Sequence, residues 1–106
     1  MTRGEVWWAR LPQPWGRRPV LLVARDEAYS VLTWVVVAPL TTTIRDIPSA
    51  VLLSPEGDGV PQRCVVALDN LQAVQKTWLD SFVTRLTPER LRLVDRASLF
   101  ALGIRA

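Results

Sequence analysis

Two arginines stand together in Gly16-Arg17-Arg18-Pro19, and three hydroxyls stand together in Thr41-Thr42-Thr43. The chain has no histidine. That removes Ser-His-Asp triads, Cys-His pairs and histidine acid–base couples, and no glycine-rich phosphate cradle of the P-loop or dinucleotide type occurs. Arginines and hydroxyls suit a reaction in which the substrate carries its own nucleophile. Attack by an RNA 2′-hydroxyl on the neighbouring phosphate is such a reaction, because the protein need mainly orient the strand and stabilise developing negative charge. Pro19 fixes φ where the following strand begins, so the two guanidinium groups are partly preset. In this reading Arg18 grips the scissile phosphate and Arg17 an adjacent one. The alternative is a pair of solvated loop arginines.

Thr41, Thr42 and Thr43 follow the apolar run Val35-Val36-Val37-Ala38-Pro39-Leu40, so their hydroxyls gather where a strand leaves a sheet. There they could meet a phosphate or the attacking sugar, or simply satisfy their own backbone. Trp15, beside the arginines, is either a base-stacking platform or an anchor that pins its loop to the core. Asp69-Asn70-Leu71-Gln72 offers a carboxylate and two amides that could read unpaired bases or make a turn. Trp7 and Trp8 are adjacent in a strand and must face opposite ways, one towards the core and the other towards a groove or subunit contact. Trp34 and Trp78 read as packing residues.

The elements that must hold these groups fit one domain spanning 1–106, with room for a single core. An apolar fraction of 49% with 22% charged residues is that of a folded globular chain. Thirteen basic residues, twelve of them Arg, against ten acidic ones give a net charge of +3, which is compatible with an anionic partner without demanding one. Cys64 stands alone, so an intrachain disulfide is excluded and, without histidine, a structural zinc site too. The polar start Met1-Thr2-Arg3-Gly4-Glu5 lacks a secretory apolar region, and runs such as Val35 to Ala38 are too short for a membrane span, so the expected location is the cytoplasm.

Short β-rich runs cover Glu5 to Leu11, Pro19 to Ala24, Thr33 to Ala38, Ser49 to Leu53 and Cys64 to Leu68, with Asn70 to Val74 extending or following the last. Pro12 to Arg18 reads as a cationic loop and Ser54 to Gly59 as a turn. Thr87-Pro88-Glu89 predicts a helix start, with Thr as cap, Pro preorganised and Glu at the positive end, and Gly103 predicts its stop. Between them Leu91, Val94, Ser98 and Ala101 form one stripe and Leu93, Ala97, Phe100 and Ile104 another, a wide apolar face. Strands followed by a helix, without β-α alternation, predict an α+β fold: a small SH3-like β-barrel of antiparallel strands with a C-terminal amphipathic helix.

The order Arg3-Gly4-Glu5-Val6-Trp7, Arg17-Arg18-Pro19-Val20-Leu21 and Val36-Val37-Ala38-Pro39-Leu40-Thr41 resembles the MazF/PemK toxins. Gly59-Val60-Pro61, Cys64-Val65-Val66, the Asn70 to Lys76 segment and Leu86-Thr87-Pro88-Glu89 extend the likeness over nearly the whole chain. The resemblance implies a MazF/CcdB-like barrel, a homodimer, and cofactor- and metal-independent cleavage of single-stranded RNA at short sequences, leaving a 2′,3′-cyclic phosphate and a 5′-hydroxyl. It places the catalytic pair on Arg18 and Thr41; the RNA contacts expected around that pair are Trp15, Arg17, Thr42, Thr43, Asp69, Asn70, Gln72 and Lys76. It also implies a cognate MazE-like antitoxin whose disordered acidic segment covers the RNA groove. The first loop is shorter here than is usual in such toxins and lacks their acidic residue, the usual Gln-x-Arg becomes Asn70-Leu71-Gln72, and Ala67 stands where some members have a second Arg. The proton acceptor is therefore unassigned. A non-catalytic, CcdB-like protein-binding toxin that poisons gyrase, or a degenerate toxin that only dimerises and binds an antitoxin, is the alternative.

Overall fold

Arg10 and Arg17 face each other at the closed end of the first hairpin. The computed structural model describes residues 1–105. In it β1 (Glu5–Arg10) pairs antiparallel with β2 (Arg17–Leu22), in register from Val6↔Leu21 to Arg10↔Arg17. The loop between them is closed by hydrogen bonds from Leu11 N to the Gly16 carbonyl (3.1 Å) and from Trp15 N to the Pro12 carbonyl (3.1 Å). Gly16 takes a φ of +64°, a left-handed conformation that a residue without Cβ adopts freely. Both arginines thus belong to a strand, whereas the sequence reading put them in the loop before it.

After β2 come a one-turn α1 (Ala28–Val31), β3 (Trp34–Thr41), β4 (Ala50–Leu53), a one-turn α2 (Pro55–Asp58), β5 (Cys64–Ala67), β6 (Gln72–Gln75), β7 (Leu79–Arg85) and α3 (Pro88–Leu102). The sequence reading missed α1 and β7, and took α2 for a turn. Ser54 caps α2 by accepting from Gly57 N at 3.0 Å. The Tyr29 hydroxyl fixes α1 by accepting from Ala24 N (3.0 Å) and donating to the Val36 carbonyl (2.9 Å). Its burial raises the phenol to about 12.

The strands lie in the order β4-β5-β3-β2-β1-β7, all antiparallel, and β6 pairs with the first half of β3. One edge of β3 meets β2, while the other meets β6 over Trp34 to Val37 and β5 over Leu40 and Thr41. The change of partner occurs just before the threonines. Among the described residues the path of pairings runs from β4 to β7 without closing on itself, which defines an antiparallel sheet with a C-terminal helix.

Apolar clusters cover both faces of the sheet. Val6, Leu21, Leu40, Val66 and Leu68 pack with Val94 and Ala97 of α3, and Val20, Leu22, Val35, Val37 and Val74 form the other cluster with Tyr29. Successive residues of β2 enter opposite clusters, so the strand is apolar without alternation. Burying each such side chain contributes about 1.5–3 kcal/mol. Gly4, at φ +96°, lets β1 approach α3: a Cβ there would stand 2.8 Å from Leu91 Cδ1.

The α3 boundaries agree with the sequence signals. Thr87 Oγ1 accepts from Arg90 N at 3.2 Å, and Gly103 adopts φ +68° at the C-cap. The two stripes fare differently. Val94 and Ala97 are buried with Leu91 and Ala101 partly so, but Leu93, Phe100 and Ile104 are exposed. Leu93 and Phe100 join Pro48 and Leu52 in an open apolar groove between α3 and β4.

Candidate nucleic-acid interface

The end of β3 forms a wall between two clefts. On one side Trp15, Thr41, Thr43, Arg45, Ser49, Asp69 and Asn70 line a cavity of ≈ 420 Å³. On the other, Trp8, Arg17, Arg18, Thr42, Gln62 and Cys64 line one of ≈ 240 Å³. Thr41 and Thr42 open to different clefts because neighbouring residues of an extended chain point opposite ways.

Arg18 lines the smaller cleft and bonds to a residue of the larger one. Its Nε donates to the Trp15 carbonyl at 2.8 Å and its Nη1 to the Leu40 carbonyl at 3.3 Å. Its guanidinium carbon lies 4.9 Å from the centroid of the Trp15 ring. The carbonyl it touches immediately precedes Thr41, whose own side chain lines the larger cleft. Trp15 anchors its loop: it packs against the core, lies against the Arg18 guanidinium and lines the larger cleft. The Thr41 Oγ1 accepts from Thr43 N at 3.2 Å, which orients the hydroxyl while leaving its proton free to donate.

Asp69, in the 3₁₀ turn Leu68–Asn70 after β5, is the one acidic side chain among those lining the larger cleft. The buried Ser49 donates to its Oδ2 at 2.5 Å. The same two segments are tied by Leu68 N to the Ser49 carbonyl at 3.0 Å. Arg45 is the cationic side chain that lines this cleft. Sequence reasoning missed Arg45 and Ser49. Neither lies in a motif, and only the pairing of β4 with β5 and of β5 with β3 brings them opposite Thr41.

In the smaller cleft Arg17 is committed to a carboxylate. Its Nη2 and Nε donate to Asp80 Oδ1 and Oδ2 at 3.1 and 3.3 Å, and Arg10 Nε reaches the same Oδ2 at 3.3 Å. Hydrogen bonding to Arg17 holds the Asp80 carboxyl below the usual carboxylate range. Trp8 lies under Arg17, 4.5 Å from ring centroid to guanidinium carbon, while Trp7 turns to the core with its edge on Phe82. Trp34 packs edge-on against Trp78 and stays half exposed. Burial, then the nearby Asp58 charge, pushes the Cys64 thiol up to about 11, so it stays protonated at neutral pH and is a poor nucleophile.

Of the ten residues singled out from the sequence, Trp15, Thr41, Thr43, Asp69 and Asn70 meet in the larger cleft and Arg17, Arg18 and Thr42 in the smaller. Gln72 and Lys76 line neither. Gln72 pairs with Val37 in the sheet, and Lys76 Nζ donates to the Tyr29 carbonyl at 2.9 Å, closing the C-terminal end of α1.

An antiparallel sheet with a C-terminal helix is an architecture this chain shares with solved toxin structures. It matches Mycobacterium tuberculosis toxin MazF-mt6 with a TM-score of 0.87 and 28% identity, covering 96% of this chain and 99% of that one. An endoribonuclease from Mycobacterial species, solved in complex with its cognate antitoxin, matches with a TM-score of 0.86 and 28% identity, covering 100% of this chain and 98% of that one. The protein named probable endoribonuclease MazF5 of Mycobacterium tuberculosis strain H37Rv is 42% identical over 96 residues, 91% of this chain and 87% of its own length. The model of the PemK-like, MazF-like toxins of type II toxin–antitoxin systems matches residues 2–99, and the chain belongs to that family.

Proposed function

We propose that this chain is an endoribonuclease toxin that cuts single-stranded RNA and is neutralised by a cognate antitoxin. The observation that carries the reading is the contact of Arg18 with the carbonyl next to Thr41, on a wall between two clefts. The scissile phosphate sits against Arg18, whose guanidinium stabilises the charge that develops on the phosphoryl oxygens. Thr41 donates to the phosphate or holds the 2′-hydroxyl. That hydroxyl gives its proton to Asp69 as its oxygen bonds to phosphorus. The bond to the 5′-oxygen breaks, and the departing oxygen takes a proton from solvent. The products are a 2′,3′-cyclic phosphate and a 5′-hydroxyl. The substrate supplies the nucleophile, so no metal is required. Trp15, Thr43 and Asn70 position the strand on one side of the cut, and Arg17 and Thr42 on the other.

The same reading gives the chain a homodimer, built on the apolar groove that Leu93 and Phe100 form with Leu52, and a single domain curled into a small SH3-like barrel. Its partner is a MazE-like antitoxin whose acidic segment is drawn to the cationic clefts, and its place is the cytoplasm. No helix among the described residues is long and apolar enough to cross a membrane. Incubating the purified protein with a long RNA in EDTA tests the reading. Cleavage at a few fixed sites with cyclic-phosphate ends is expected. RNA left intact would favour a CcdB-like or degenerate toxin that acts only by binding.

A further inference from the structure

Arg17 is held in a manner that suits stacking better than phosphate binding. Two of its five N–H donors are spent on Asp80 in a forked pair, which also neutralises its charge locally. One flat face lies on Trp8. The side chain is nonetheless 51% exposed and lines the smaller cleft, so the opposite flat face is open to it. A guanidinium fixed in plane by a carboxylate on its edge and an indole on its back is a platform for an unpaired base, because flat cations stack on base π-faces. The cleft fits that use. Pro19 and Leu40 give it apolar walls, while the exposed Gln62 and Thr42 offer an amide and a hydroxyl that can meet a base edge. Arg18 lines this cleft and bonds to the carbonyl of Trp15, which lines the one containing Asp69, so a strand gripped at Arg18 directs one flanking nucleotide to each side.

We propose that the cleft between Trp8 and Cys64 is a nucleobase subsite, in which Arg17, clamped flat by Trp8 and Asp80, stacks on the base across the cut from the one held beside Trp15. The inference rests on the endoribonuclease reading above and assigns Arg17 a base rather than a phosphate.

The test is a binding cycle with a short RNA made uncleavable by a 2′-deoxy nucleotide at the cut, in which each base in turn is removed. In the wild-type protein, removing one base flanking the cut is expected to weaken binding about tenfold, the usual worth of a base–platform stack. R17A and R17K should each lose a similar factor with intact RNA, and the penalty for removing that base should vanish in both, since the partners act as one unit. The slope of log affinity against log salt should stay at its wild-type value in R17A. A slope shallower by about 0.7 would mark a lost phosphate contact, and would overturn the inference. So would a base-removal penalty that persists undiminished in R17K, or a wild-type protein indifferent to both flanking bases. D80N provides a second route that leaves Arg17 in place. Releasing the clamp should shrink the penalty, whereas tighter binding with the penalty intact would contradict the clamp. Wild-type protein that binds no RNA would remove the ribonuclease reading and the subsite with it, an outcome distinct from failure of the subsite alone.

Discussion

Arg90 Nε donates to Asp58 Oδ1 at 2.9 Å, joining the first turn of α3 to a carboxylate whose side chain is only 2% exposed. The other oxygen of Asp58 accepts from Ser54 N at 2.9 Å, so one buried group satisfies both the turn before α2 and the start of α3. Replacing it with alanine leaves a partly buried N–H and a partly buried guanidinium without that acceptor. The expected cost of D58A is about 2–3 kcal/mol, below that of breaking a fully buried pair because Arg90 is one-third exposed and recovers some hydration. Urea unfolding measures it as a lower midpoint at constant m. A change within about 0.5 kcal/mol, the range of ordinary surface substitutions, would show that the pair fixes little.

Glu5 gives the fold an acid-sensitive joint. Burial raises its carboxyl, but hydrogen bonds from the Trp7 indole and from Thr2 outweigh that and leave it below 4.5. Its partners are Trp7 Nε1 at 2.9 Å and Arg85 Nη2 at 2.9 Å, with Arg85 also donating to the Thr2 hydroxyl. A group held below its free value contributes fully above about 4.5, and the contribution is lost as pH falls through the folded value. E5Q should therefore be less stable than wild type at pH 6, and the two melting curves should converge below pH 4.5. A gap that stays constant down to pH 3 would contradict this origin.

Much of this arrangement was legible in the residues. Thr87-Pro88-Glu89 and Gly103 mark α3 because capping is a local property of the chain. The resemblance implied a pairing of Arg18 with Thr41, and the bond of Arg18 to the Leu40 carbonyl sets it one residue from that threonine along the chain. What stayed hidden depends on distant pairing. β7 was missed because its middle is exposed and its pairing with β1 shifts register at Val6/Trp7 and again at Trp8/Ala9, which spoils the two-residue alternation. Arg17 and Arg18 looked like loop residues because charge masks a strand start. Only their register with Arg10 and Ala9 shows otherwise. Asp69 is visible in the sequence, but its place beside Thr41 needs β5 to lie between β4 and β3. Lys76 was read as an RNA contact, and its Nζ donates to the Tyr29 carbonyl of a helix too short to be foreseen.

The most direct measurement is the single-turnover cleavage rate of a short RNA by Arg18→Ala, with thermal melting of the same sample as the check on folding. Loss of a transition-state donor is expected to lower the rate by a hundredfold or more while the protein stays folded. A folded variant that cuts at the wild-type rate would contradict the role given to this guanidinium.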